Sequence, residues 1–129
     1  MPTLLDRGIA AHARRMIRGA GRQIVYQRTT DGVLSAVNLT AWPGTATFTR
    51  ENPDNVTTIQ GDRCYLFPAA DLFIGGANVL PEKGDRIIET IDGEDLAFEV
   101  MLDKGKVIWE FNDHTRQILR VWTKRVRPL

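Results

Sequence analysis

Asp-Gly occurs twice in this chain, at 31–32 and 92–93, and each pair is flanked by residues that read as strand. Asp-Gly is the strongest short signal for a two-residue β-hairpin, because both central residues must adopt positive φ. The first reversal joins "RQIVYQRTT" to "VLSAVNLTA", and the second joins "RIIET" to a run in which Leu96, Phe98, Val100 and Leu102 alternate with Ala97, Glu99 and Met101. Alternation with period two places those four on one face. Two such hairpins commit most of the chain to antiparallel sheet.

The other segments fit that frame. Pro43-Gly44 ends the second strand, and "ATFTR" reads as a short third. "RCYLF" is a strand closed by "PAADL", where Pro68 suits the start of a helical turn. "IGGA" at 74–77 is a turn, and Pro81 and Gly84 build another ahead of "RIIET". "KVIWEF" and "RQILRVWTKRV" are the last strands; Leu119, Val121 and Thr123 share one face, and Ile118, Arg120, Trp122 and Lys124 the other. Trp109, alternating with Val107 and Phe111, belongs to the core. "ENPDNVTTIQGD" at 51–62 is polar and rich in turn formers, and is expected as an exposed, mobile loop.

One helix is expected, over residues 3–20. Thr3 caps it with Asp6 three residues on, Leu5, Ile9, Ala13, Met16, Ile17 and Ala20 form its apolar stripe, and Gly19 and Gly21 stop it. Its anchors are mostly small and none is aromatic, which suits packing on a barrel or a neighbouring subunit better than a membrane surface. Many short antiparallel strands with one helix indicate a mainly β, single-domain chain: a small antiparallel β-barrel over 22–126, since closure removes exposed strand edges.

At 129 residues the chain is long enough to bury a core. It has no apolar run of the ~20 residues that span a bilayer, and arginines interrupt the N-terminal segment where a signal peptide would be apolar. Asn38 and Asn55 stand in glycosylation patterns that matter only in a secreted chain. The single cysteine, Cys64, lies in a strand and reads as a buried hydrophobe.

A catalytic or metal site finds little support. His12 and His114 have no partner at ligand spacing, Asp113-His114 lacks a supported nucleophile, and no phosphate-cradling or nucleophile-elbow motif occurs. Seven carboxylates between Glu82 and Glu99 resemble acid/base machinery but fall mainly at turns and on polar strand faces. They are expected to be solvated surface, with Asp85 also accepting hydrogen bonds from turn amides. No enzyme activity, cofactor or metal is expected.

The net charge of +1 conceals a segregation. Residues 1–28 hold six arginines against one acid, and residues 115–129 hold five basic residues and no acid, around an acidic middle. Basic ends and an acidic middle suit contacts between surfaces of opposite sign. Arg14, Arg15, Lys124, Arg125 and Arg127 are the candidates, with Trp122, which shares a face with two cations, as the aromatic anchor. A single-strand nucleic-acid platform is the alternative use of that aromatic and those charges.

The ordered series "FPAADL", "LPEKGDRIIET", "DG", "FEVM", Trp109, Asp113 and "LRVWTK" resembles the small head–tail adaptor proteins of tailed phages and prophages, the head-closure or stopper type. The resemblance spans about residues 4–126. It implies a ring of copies of this barrel in the neck of the virion, made in the host cytoplasm. The ring would sit between portal and adaptor proteins on the head side and tail-terminator or tail proteins on the other, with double-stranded DNA passing through and no membrane partner. A tail-terminator role in the same neck, and an oligonucleotide-binding barrel, remain the alternatives. The acidic and polar Glu51, Asn52, Asp54 and Asn55 are the candidate channel loop, because basic walls would grip phosphates.

Overall fold

The computed structural model describes residues 19–44, 47–51, 56–60, 63–103, 105–111 and 115–126. Its strands are β1 (Arg22–Thr30), β2 (Val33–Gly44), β3 (Thr47–Glu51), β4 (Val56–Gln60), β5 (Arg63–Pro68), β6 (Phe73–Ile74), β7 (Ala77–Asn78), β8 (Arg86–Ile91), β9 (Glu94–Val100), β10 (Leu102–Asp103), β11 (Lys106–Val107), β12 (Trp109–Phe111) and β13 (Ile118–Val126). A 3-10 turn spans Ala69–Asp71. The helix expected over 3–20 lies outside the described residues except for Gly19 and Ala20, which are helical.

Six strands form a closed antiparallel barrel in the order β13-β5-β2-β1-β8-β9, and β9 returns to β13. Closure runs from Thr123 opposite Val100 to Val126 opposite Ala97. β12 pairs with the other half of β13, Trp109 facing Val121 and Phe111 facing Leu119. Both Asp-Gly reversals form as expected. Asp31 and Gly32 have φ of 52° and 79°, and Asp92 and Gly93 have 52° and 80°, the doubly positive geometry that matches strand twist.

Inward rows follow from the alternation. Ile24 and Tyr26, Leu39 and Ala41, Tyr65 and Phe67, Ile87, Phe98 and Val100, and Leu119 and Val121 make one buried cluster, with Leu96, Val107, Trp109 and Phe111 packed against it. A second, smaller cluster lies outside the barrel wall, where Cys64, Leu66, Ile118 and Trp122 meet Met101 and Ile108. Backbone bonds pin it: Met101 N–H donates to Trp122 O (2.9 Å) and Trp122 N–H donates to Ile108 O (3.2 Å). Strands β5 and β13 are therefore buried on both faces, which accounts for their near-continuous apolar runs.

Within the segment 51–62, expected as an exposed, mobile loop, the described residues are in strands: Glu51 ends β3, and Val56–Gln60 pairs with Thr47–Glu51 in a separate two-stranded ribbon. Leu102 does not extend the inward row of β9. The chain turns outward at Met101, and Leu102 is 38% exposed.

Candidate docking surfaces and the ion pairs between them

Strand β8 answers the question its acids raise. Asp85, Ile87 and Glu89 have the same parity, so all three point into the barrel, and each carboxylate residue is 1% exposed. These two acids are not surface, contrary to expectation. β1 sends Arg22, Ile24, Tyr26 and Arg28 inward beside them, and β5 sends Arg63, Tyr65 and Phe67. Each row is thus apolar at mid-barrel and charged near a mouth.

At one mouth Asp85 accepts four hydrogen bonds: Arg28 Nε at 3.0 Å, Arg28 Nη2 at 2.8 Å, the Tyr26 hydroxyl at 2.5 Å and the Glu82 amide at 2.8 Å. The last is the turn contact expected of Asp85. At the other mouth Glu89 accepts from Arg63 Nε (2.9 Å) and Nη2 (2.8 Å), the Tyr65 hydroxyl (2.7 Å) and Arg22 Nη1 (3.3 Å). Burying a charge is costly unless its partners are complete, and here they are. The Asp85 hydrogen bond raises the Arg28 pKa. Burial works against the Arg63 charge, but the Glu89 contacts outweigh it and its pKa also rises. Burial first, then the carboxylate beside it, pushes both tyrosine hydroxyls far above the ordinary phenol value. A general base needs a lone pair free to reach substrate; these carboxylates spend theirs on the barrel. They are seals at its two mouths.

Beyond the seals the two rims differ. β1 starts at Arg22, β2 ends at Gly44, β5 starts at Arg63 and β13 ends at Val126, all at one rim, so the described chain enters and leaves the barrel there. Arg22 and Arg63 share one glutamate at this rim, where Lys124 and Arg125 are exposed together with Asp92, Glu94 and Asp95 of the β8–β9 turn. At the opposite rim lie the β1–β2 tip, the 3-10 turn, the β6–β7 hairpin and the turn before β8. Four large apolar residues are exposed in those segments: Val33 (65%), Leu34 (59%), Phe73 (54%) and Leu80 (47%).

Of the residues singled out in the sequence, Lys124 and Arg125 stand at the charged rim, while Arg14, Arg15 and Arg127 lie outside the described residues. Trp122, expected as an exposed anchor, is 3% exposed and covered by Met101 and Ile108, so its ring packs within this chain. Glu51 ends β3, and Asn52, Asp54 and Asn55 lie outside the described residues. Arg22, Arg28, Arg63 and Glu89 were not singled out as sealing residues, and Asp85 only for its turn contact. The signal was present, since Asp85 and Glu89 have the parity of Ile87. Among the described residues no group of three His, Cys, Asp or Glu side chains is placed to hold a metal, and no helix is long and apolar enough to cross a membrane.

The barrel thus presents two chemically different rims, one with exposed charges of both signs and one with exposed apolar side chains. A family model described as phage head-tail joining protein matches residues 2–129, and the chain belongs to that family. It is a structural head–tail connector of the virion neck, in contact with head and tail components. No curated protein matches the chain.

Proposed function

We propose that this chain is the head-closure (stopper) component of a long-tailed phage or prophage neck. Made in the host cytoplasm, it assembles into a homo-oligomeric ring on the portal–adaptor complex, closes the DNA-filled head and presents a docking surface to the tail. The role needs neither catalysis nor a cofactor. The observation that carries the reading is the polarity of the barrel: exposed charges of both signs at the rim where the chain enters and leaves, exposed apolar side chains at the other. A connector between two different partners needs two different ends. Arg14, Arg15, Lys124, Arg125 and Arg127 belong in this reading to contacts with acidic surface on adjoining subunits or rings, where charge sets orientation and rate of encounter.

Glu51, Asn52, Asp54 and Asn55 are assigned to the channel. The β3–β4 ribbon forms its own two-stranded sheet and joins the barrel at the rim of Gly44 and Arg63. An acidic, polar tip repels DNA phosphates instead of gripping them. The oligonucleotide-binding alternative loses its platform with the burial of Trp122.

Particles that lack the protein decide the matter. Filled heads that leak DNA and fail to join tails, and that are rescued by adding the purified chain, are the expected result. Closed, stable heads without it would assign closure to another neck protein.

A further inference from the structure

The outer wall of the barrel carries an ordered apolar line. Register places Val25 of β1 opposite Ile88 of β8, Ile88 opposite Ala97 of β9, and Ala97 opposite Val126 of β13. All four belong to outward rows, because their neighbours Ile24, Ile87, Phe98 and Val121 fill the inside. Polar rows bound the line. Gln27, Arg86, Glu99 and Lys124 pair in succession on one side, and Gln23, Thr90 and Asp95 line the other edge of a shallow groove over Val25 and Ile88.

Part of this wall is already closed to water. Ala97 is 2% exposed although it faces outward and joins neither of the two buried clusters. Val25, Ile88 and Val126 around it are half-buried. An apolar line bounded by polar rows, on the outside of a sheet, is the surface on which a helix with one apolar stripe packs.

The chain brings such a stripe to the same place. Gly19 and Ala20 are helical, β1 starts at Arg22 on the charged rim, and Gln23 already lines the groove. Upstream, Ile9, Ala13, Met16, Ile17 and Ala20 recur at helical spacing. A helix rises about 17 Å from residue 9 to residue 20, and a line across four strands is about 14 Å long. The lengths agree. The signs of charge agree too: the segment carries Arg7, Arg14, Arg15 and Arg18 against Asp6, and Asp92, Glu94 and Asp95 stand exposed where the groove meets the rim. Charges on such neighbouring surfaces attract over about 10 Å at 0.1 M salt.

We propose that residues 3–20 of the same chain dock as a helix on this line, with Ile9, Ala13, Met16 and Ile17 covering Val25, Ile88 and Ala97. At helical spacing the four arginines fall on the side away from the stripe, so Arg14 and Arg15 stay free for the contacts assigned to them above. The docking concerns one subunit and depends neither on the neck role nor on a ring.

Trypsin and a covalent bridge test it in the full-length chain. A docked helix is cut only when it opens, so cleavage after Arg14, Arg15 and Arg18 should be at least about tenfold slower than in a free peptide of residues 1–22. Ile88→Asp should remove that protection. Ile9→Asp/Ile17→Asp should remove it as well, and this second variant leaves every barrel residue unchanged should Ile88→Asp fail to fold. Maleimide bridging of Met16→Cys/Thr90→Cys should give a bridged monomer, whereas Met16→Cys/Asp71→Cys, with its second thiol at the apolar rim, should stay unbridged. Cys64, 1% exposed, is out of the reagent's reach. Cleavage of the wild-type segment at the free-peptide rate, or protection that survives both variants, overturns the docking. Failure to bridge at Thr90, or equal bridging at Asp71, overturns it too. Bridged dimers in place of monomers would give the groove to a neighbour's segment. Head closure is read from particles, so it stands or falls separately from all of these results.

Discussion

Asp85 and Glu89 each accept four hydrogen bonds inside the barrel, and their surroundings differ enough to rank them. The Arg28 side chain on Asp85 is 11% exposed, whereas Arg63 and Arg22 on Glu89 are 26% and 54% exposed. Removing one partner from a buried pair costs about 3–5 kcal/mol because the other charge is stranded. Asp85→Asn should therefore lose about 3 kcal/mol, at the low end because the amide keeps some hydrogen bonds. Glu89→Gln should lose less, since water reaches its arginines. Urea midpoints at unchanged m-value measure both. An Asp85→Asn protein as stable as wild type would remove the seal from the account. The tyrosines add a pH dependence. Their folded pKa values lie above the unfolded value of about 10, so their contribution is complete below pH ~10 and is lost as pH rises beyond it. The chain's two tyrosines are both 0% exposed. Phenolate absorbance should thus appear only together with unfolding; ionisation ahead of the loss of circular dichroism would mean that these hydroxyls are reachable in the folded barrel.

Strands and turns carry the parts of this fold that local sequence dictates. Phe98 is 3% exposed and meets the Tyr65 ring edge-on at 6.0 Å, so Phe98→Ala should cost about 3–5 kcal/mol; a loss under about 1 kcal/mol would mean a loosely packed face. Gly93 holds φ at 80° with open space around it. Gly93→Ala should therefore act through backbone strain alone, costing about 1 kcal/mol without moving the register. The Asp-Gly reversals, the inward row Phe98–Val100 and the paired faces of β13 were legible because turn chemistry and period-two alternation are local. The roles of Trp122 and Glu89 were not. Trp122 sits on the outer face of β13, between cations in sequence, and only the return of the chain through Met101 and Ile108 covers it. Glu89 reads as a solvated acid until closure brings Arg63, 26 residues away, and Arg22, 67 residues away, onto it. Of the ribbon, β3 was legible as "ATFTR" and only β4 was missed, because turn formers on either side hide a five-residue strand whose pairing is with β3 alone.

The molecule as a whole has two ends, and the proposed neck role makes them separable. Lys124 and Arg125 are exposed at the charged rim, and Val33 and Leu34 are exposed at the other. None of the four lies in either buried cluster, so changing them should leave the barrel's stability nearly intact. Exposed charges speed and orient association and are screened within about 10 Å at 0.1 M salt. The double reversal Lys124→Glu/Arg125→Glu should therefore slow one junction, head or tail, with a defect that is largest at low ionic strength. Val33→Ser/Leu34→Ser removes apolar area, which salt does not screen, and should weaken the opposite junction by a factor that hardly varies with salt. Filled heads with bound connector but no tail, and tails or connectors free of heads, are distinguishable by electron microscopy and by mixing extracts. Each variant should halt at its own step. If both stop assembly at the same step, or if their salt dependences coincide, the two rims do not serve two partners, and the barrel's polarity has no part in joining head to tail.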